Sequence, residues 1–365
     1  MSNKIRISIM IFLLLVSATI ATANTVTHAA IWNKIDGKYI LTDIGNGMGD
    51  SSALSINNLG QIVGYIKNQD GNRHAYIWDK VGNNYVPTDL GMLKGGQESS
   101  AVGINDKGQI IGYSYNQAIF TSNAIMWNKV GRKYTLIDIG SGFAANSINN
   151  NGQIVGNQMQ SGSIFYAPII WNFVRGKSIP IELKMYGGYS GYTANSINNK
   201  GQIVGDNMVI GAGVYHDDAV IWNTFKDNSI LLSPENFKKS SGKTTVARKI
   251  NDKGKIIGSI YDTSRPSQLS GVSHAAMWTK VNGKYISTFL PEGVDWSDST
   301  SSAKDINNKD QVIGSITNYS IGVYDNATIW TIVNGKYMPQ NLGTNRELNS
   351  INDKGQIVGS ITYEN

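Results

Sequence analysis

Hydrophobic and polar positions alternate along this chain in blocks that recur. Small and apolar residues, Ser52-Ala53-Leu54-Ser55-Ile56, lead into the polar stretch Asn57-Asn58-Leu59-Gly60. Then comes Gln61-Ile62-Val63-Gly64-Tyr65, rich in β-branched and aromatic residues. The outer blocks read as strands and the middle one as a tight turn. Asn at the head of such a turn bonds its own backbone, and Gly at its end accepts positive φ. The motif returns six more times, with its Asn at 105, 149, 198, 251, 307 and 352. Gly holds the closing position except in the sixth copy, where Asp310 stands.

A second block is interleaved with the first. It reads His28-Ala29-Ala30-Ile31-Trp32, His74-Ala75-Tyr76-Ile77-Trp78 and His274-Ala275-Ala276-Met277-Trp278, with looser copies ending at Trp127, Trp171, Trp222 and Trp330. A turn such as Asp36-Gly37-Lys38 follows, then a further strand such as Tyr39–Ile44. Each unit thus predicts four short strands in meander order. Four strands in a period of about 40–50 residues predict a β-propeller blade.

The chain ends complement one another. The N-terminal part supplies a third and a fourth strand (28–44), and the C-terminal part a first and a second (347–362). Pairing them removes two exposed sheet edges, whereas an open stack would need capping units. The expectation is an all-β, seven-bladed propeller spanning residues 24–365 as one domain. Its complete blades fall at about 50–91, 98–140, 143–183, 193–232, 245–290 and 301–343. Ala167-Pro168 interrupts one Trp strand, which points to an edge or a bulge there.

The first-to-second and third-to-fourth turns share one face of the disc and are short and nearly constant. The other connections share the opposite face and vary, for example Asp206–His216 and Pro291–Thr300. Variable loops on a rigid scaffold are where binding is expected.

Residues 1–23 read as a secretory signal peptide. Lys4 and Arg6 precede the apolar run Ile7–Ile20, and Ala21-Thr22-Ala23 is a cleavage site. The run of 14 residues falls short of the ~20 needed to span a bilayer. Its removal takes the net charge from +6 to +4, since Lys4 and Arg6 leave and no acid does. That mild excess implies no specific nucleic-acid partner. With no Cys in the chain there is neither a disulfide framework nor thiol chemistry.

Candidate chemistry is sparse. His28, His74 and His274 share one repeat slot in three different blades, too far apart to meet on one metal, and read as structural hydrogen-bonding groups. The Trp of each third strand reads as a wedge between blades. No nucleophile elbow, phosphate loop or zinc spacing occurs. The sequence therefore names no catalytic residue, metal or cofactor. Aromatics gather on the variable connections: Phe165, Tyr186, Tyr189, Tyr192, Tyr215 and Trp296. With His216 and Asp217, which follow a Gly-rich stretch, they form the candidate binding set.

Together the two blocks resemble the HAF-repeat family of bacterial extracellular repeat proteins. The resemblance rests on the three His-Ala-x-apolar-Trp copies quoted above, on Asp89-Leu90-Gly91 and on Ile104-Asn105-Asp106-Lys107-Gly108-Gln109. It implies export and no particular activity. The resulting expectation is a secreted, periplasmic or extracellular monomer. It would bind a protein or glycan through its variable face, without catalysis. The alternatives are a propeller lyase or hydrolase with a site at the channel mouth, and a structural component of the cell envelope.

Overall fold

The computed structural model describes residues 25–364 apart from Asn46, Arg132, 160–165, 175–176, 186–190, 212–213, 233–242, 263–271, 294–298 and 320–324. Seven four-stranded antiparallel sheets form a ring, a seven-bladed β-propeller. Blade 1 holds Ser51–Ile56, Ile62–Lys67, Arg73–Val81 and Asn84–Asp89. Blades 2 to 6 repeat that order over 98–141, 143–182, 191–231, 243–289 and 299–343. Blade 7 joins Arg346–Ile351 and Ile357–Glu364 to Thr25–Ile35 and Lys38–Asp43, with Thr25 opposite Glu364 and Trp32 opposite Ile357. The closure expected from the half-units is the closure observed.

The core lies between blades. Ala29 and Ile31 of blade 7 pack with Ala53, Ile62 and Trp78 of blade 1, and analogous clusters fill the other seams. All seven Trp residues of the third-strand slot are at most 1% exposed. Burying each contributes a few kcal/mol by area. Trp78 Nε1 also donates to Ile44 O of the preceding blade at 3.1 Å, and Trp171 Nε1 to Ile139 O at 3.0 Å.

Every innermost strand carries a bulge. Ala53 faces Gly64 and Ser55 faces Val63, leaving Leu54 as the extra residue. The same shift recurs in all seven blades. It brings an inner carbonyl onto the Gly opposite. A Cβ on Gly258 would lie 1.8 Å from Val246 O, and one on Gly64 2.0 Å from Ser52 O. Only Gly tolerates that approach.

Pro168 differs from expectation. It sits within the third strand of blade 3, opposite Asn157, at neither an edge nor a bulge. The reason lies in its neighbours. At the equivalent slot, the N–H groups of Ala29, Ala75, Ala219 and Ala275 leave the ladder and donate to Ser51, Ser99, Thr245 and Ser301 of the next blade. A proline there forfeits no ladder bond. Its hydroxyl partner is missing too: Tyr192 occupies that position in blade 4.

Candidate functional site

The channel has two unlike ends. At the constant face, the seven Asn-Asx turns meet in a ring above a collar formed by Ile56 and its six counterparts. Each leading Asn satisfies its whole side chain. Asn57 Oδ1 accepts from the N–H groups of Leu59 and Gln61, at 3.1 and 2.9 Å. Its Nδ2 donates to Gln61 Oε1 and to Asn105 O in the next blade, at 2.9 and 3.0 Å. That last bond repeats from Asn105 to Asn149, Asn198, Asn251, Asn307, Asn352 and back to Asn57, closing a cycle. Asp could not serve, because the slot needs two donors as well as two acceptors.

The second Asx closes another cycle. The backbone N–H of Asn58 donates to Asp106 Oδ1 at 2.8 Å, and the link passes through Asn150, Asn199, Asp252, Asn308 and Asp353 back to Asn58. Each of the three Asp side chains lies between two Asn, and its Oδ2 accepts from both neighbouring amides. The cavity beneath is only about 170 Å³, and its polar rim is occupied with itself.

One seam departs from the pattern and repairs itself. In blade 5, Lys255 replaces the Gln that would accept from Asn251. In blade 6, Asp310 replaces Gly, at φ 63°, and takes over that role, accepting from Asn251 Nδ2 at 3.0 Å. Its other oxygen meets Lys253 at 2.9 Å and Lys255 at 3.2 Å. Burial works to raise the Asp310 carboxyl, but the two lysines outweigh it and hold it below the usual range.

The three histidines of the repeat slot serve the scaffold. His28 Nδ1 lies 2.7 Å from Asp43 Oδ2, and His74 Nδ1 3.3 Å from Asp89 Oδ2. The other oxygen of each Asp accepts from Gly45 N or Gly91 N, which ties the His block to the Asp-apolar-Gly turn. Phe289 replaces the Asp in blade 5. His274 there turns to buried Glu292, at 2.8 Å, which also accepts from Ser299 and Ser301. Burial alone would raise the Glu292 carboxyl, but these donors hold it low. Both hydroxyls engage the carboxylate, so this is a clamp and not a nucleophile relay.

At the variable-face end the repeat breaks its symmetry. The bulge residue before each Ser-Ile-Asn or its counterpart is Leu54, Val102, Asn146, Asn195, Arg248, Lys304 or Asn349. The three asparagines donate to Ala194 O, Ala247 O and Ala53 O of the next blade, at 2.9–3.0 Å. Arg248 and Lys304 instead border a cavity of about 440 Å³. Ser302, Ser315 and Asp325 of blade 6 and Arg346, Glu347 and Leu348 of blade 7 complete its wall. Lys304 pairs with Glu347, and Arg346 donates to Leu342 O. Arg248 is exposed and has no ion-pair partner among the described residues.

The aromatic candidates fare differently. Phe165, Tyr186, Tyr189 and Trp296 lie outside the described residues. Tyr192 belongs to the core: it is 1% exposed, with its ring edge-on to Trp222 at 6.4 Å, in the slot that holds Ser or Thr in four other blades. The expected loop 206–216 is largely strand. Ile203–Gly211 and Val214–Trp222 pair as one long hairpin, with Met208 opposite Asp217 and Val209 opposite His216. Tyr215, His216 and Asp217 therefore belong to the third strand of blade 4.

No family model and no curated protein matches this chain, so the HAF-repeat resemblance rests on the motifs alone. Solved structures do match. The β-propeller domain of the Trilobed protease from Pyrococcus furiosus superposes with TM-score 0.54 at 15% identity, covering 83% of this chain and 89% of that one. That domain has an open velcro topology, unlike the closure seen here. A polysaccharide lyase of family PL25, an ulvan lyase bound to a glucuronate–rhamnose-3-sulfate unit, gives TM-score 0.51 at 10% identity over 81% of this chain and 84% of its own. These likenesses establish the propeller fold.

Proposed function

We propose that this is an exported, non-catalytic binding protein that engages a glycan or protein partner through the variable face. One observation carries the reading. The constant mouth is closed by hydrogen-bond cycles that use up its polar groups, whereas the variable mouth holds a polar cavity to which three blades contribute. Pre-positioned polar groups around a concave site are what recognition uses. Export rests on the leader at residues 1–23; N-terminal sequencing of secreted protein should begin at Asn24. Among the described residues no helix is long and apolar enough to cross a membrane.

The test is a glycan array and a pull-down with the secreted chain. Substituting Trp296→Ala or Tyr189→Ala should weaken the partner found, while Leu59→Glu on the constant face should leave it unchanged. The opposite pattern would move the site to the constant face. A lyase or hydrolase at the same mouth is the second reading, supported by the convergence of Arg248, Lys304, Arg346, Asp325 and Glu347. Counting new chain ends after incubation with candidate polysaccharides separates the two; none formed sets the enzyme aside.

A further inference from the structure

We propose that the cavity between blades 5, 6 and 7 is an oxyanion site in which Arg248 grips a carboxylate or sulfate group carried on a sugar. This rests on the variable face being the docking surface. Seven of the nine lining residues carry polar or charged side chains, although their aliphatic stems leave about half of the exposed wall apolar. Ser302 and Ser315 offer hydroxyls, Gly314 contributes only backbone because Ser302 O sits where its Cβ would be, and among the described lining residues Leu348 is the one apolar side chain. Such a lining suits a hydroxyl-rich ligand, and about 440 Å³ lies within the ~300–1,000 Å³ typical of small-molecule sites.

The three cations have different duties. Lys304 is paired with Glu347, and Arg346 is held by Leu342 O. Among the described residues Arg248 has no hydrogen-bond or ion-pair partner, its attraction to Asp206 being longer-ranged, and its rigid donor fork matches a carboxylate or sulfate edge. The acid next to it in the neighbouring blade, Asp206, is already engaged by Ala247 N at 2.8 Å and Asn195 Nδ2 at 2.7 Å. Burial pushes the Asp206 carboxyl up to about 7, which weakens it as a competing anion. Arg248 and Lys304 also stand where other blades use Asn or aliphatic residues, so the scaffold itself does not require cations there.

The experiment is calorimetric titration of the full secreted chain with three probes. These are a galacturonate oligomer, its neutral methyl ester of the same length, and a sulfated galactan oligomer. Binding of either acidic probe, at least about tenfold tighter than the ester, is expected. Arg248→Ala should remove that preference and Arg248→Lys should restore part of it, with the melting midpoints showing that each variant is folded. Preference for the carboxylated or the sulfated probe tells which oxyanion is read. Acidic probes that bind Arg248→Ala as tightly as the parent, or bind the parent no better than the ester, overturn the inference. If the parent then still binds a neutral glycan or a protein at the variable face, the wider reading stands. If it binds nothing there, both fall.

Discussion

The two ends of the same seven inner strands do opposite things with asparagine. At the constant face, Asn57 and its counterparts hand a hydrogen bond from blade to blade without a break. A few residues upstream, only Asn146, Asn195 and Asn349 stitch neighbours, and Arg248 and Lys304 leave the stitching to border a cavity. One end is fixed by mutual dependence, since each turn needs an identical turn beside it. The other end is free to vary because the bulge residue is not needed to hold the ring shut.

The largest break in this contrast should come from Asn105→Asp. The change replaces two donors with a carboxylate facing Gln109 Oε1 and Asn149 O. A loss of about 3 kcal/mol in unfolding free energy is expected by denaturant titration. Asn146→Ala at the other end removes one bond to Ala194 O and should cost only about 1 kcal/mol. Comparable losses would dissolve the distinction.

The repaired seam sharpens it. Asp310→Gly leaves one of the two Asn251 Nδ2 hydrogens without its acceptor and two lysines without their carboxylate, and Lys255→Gln leaves Asp310 with one cation fewer. Together the two changes restore the arrangement of the other blades. The double variant should be more stable than the sum of the single losses predicts, by on the order of 1–2 kcal/mol. Simple additivity would mean that the two residues do not compensate each other.

A further test of the contrast is in pH. Burial raises the Asp206 carboxyl to about 7, against 3.8 unperturbed; bonds from Ala247 and Asn195 oppose the rise, Asp217 adds to it, and Arg248 opposes it. The folded state therefore favours the neutral acid. Its stabilising contribution is complete below about 4 and fades as pH climbs to about 7. Unfolding free energies measured at pH 5 and 8 should differ by on the order of 2–3 kcal/mol from this group, and Asp206→Asn should flatten the difference. Position 206 corresponds to Asn157, whose Oδ1 already accepts from Ala194 N, so an amide suits the slot.

Architecture was legible because it repeats. The Asn turns, the Trp slot and the complementary ends fixed blade number and closure, and the His slot proved to be a hydrogen-bonding one. What escaped was coupling between units. Tyr192 reads as a loop aromatic until Pro168, in another blade, removes the N–H that a Ser in its place would serve. Asp206–His216 reads as a loop because its Gly residues mask a long hairpin. The oxyanion cavity had a signal that went unused: aligning the residues before each Ser-Ile-Asn sets Arg248 and Lys304 apart from five uncharged counterparts.

The second Asx cycle has a parity. An odd circle cannot alternate acid and amide all the way round, and two amides must meet somewhere; here they are Asn150 and Asn199. Turning either into Asp would seat it against Asp106 or Asp252, and every other amide already has an acid on both sides. The mouth thus carries as much negative charge as a heptagon admits without like charges touching, and the count of blades is what sets that ceiling.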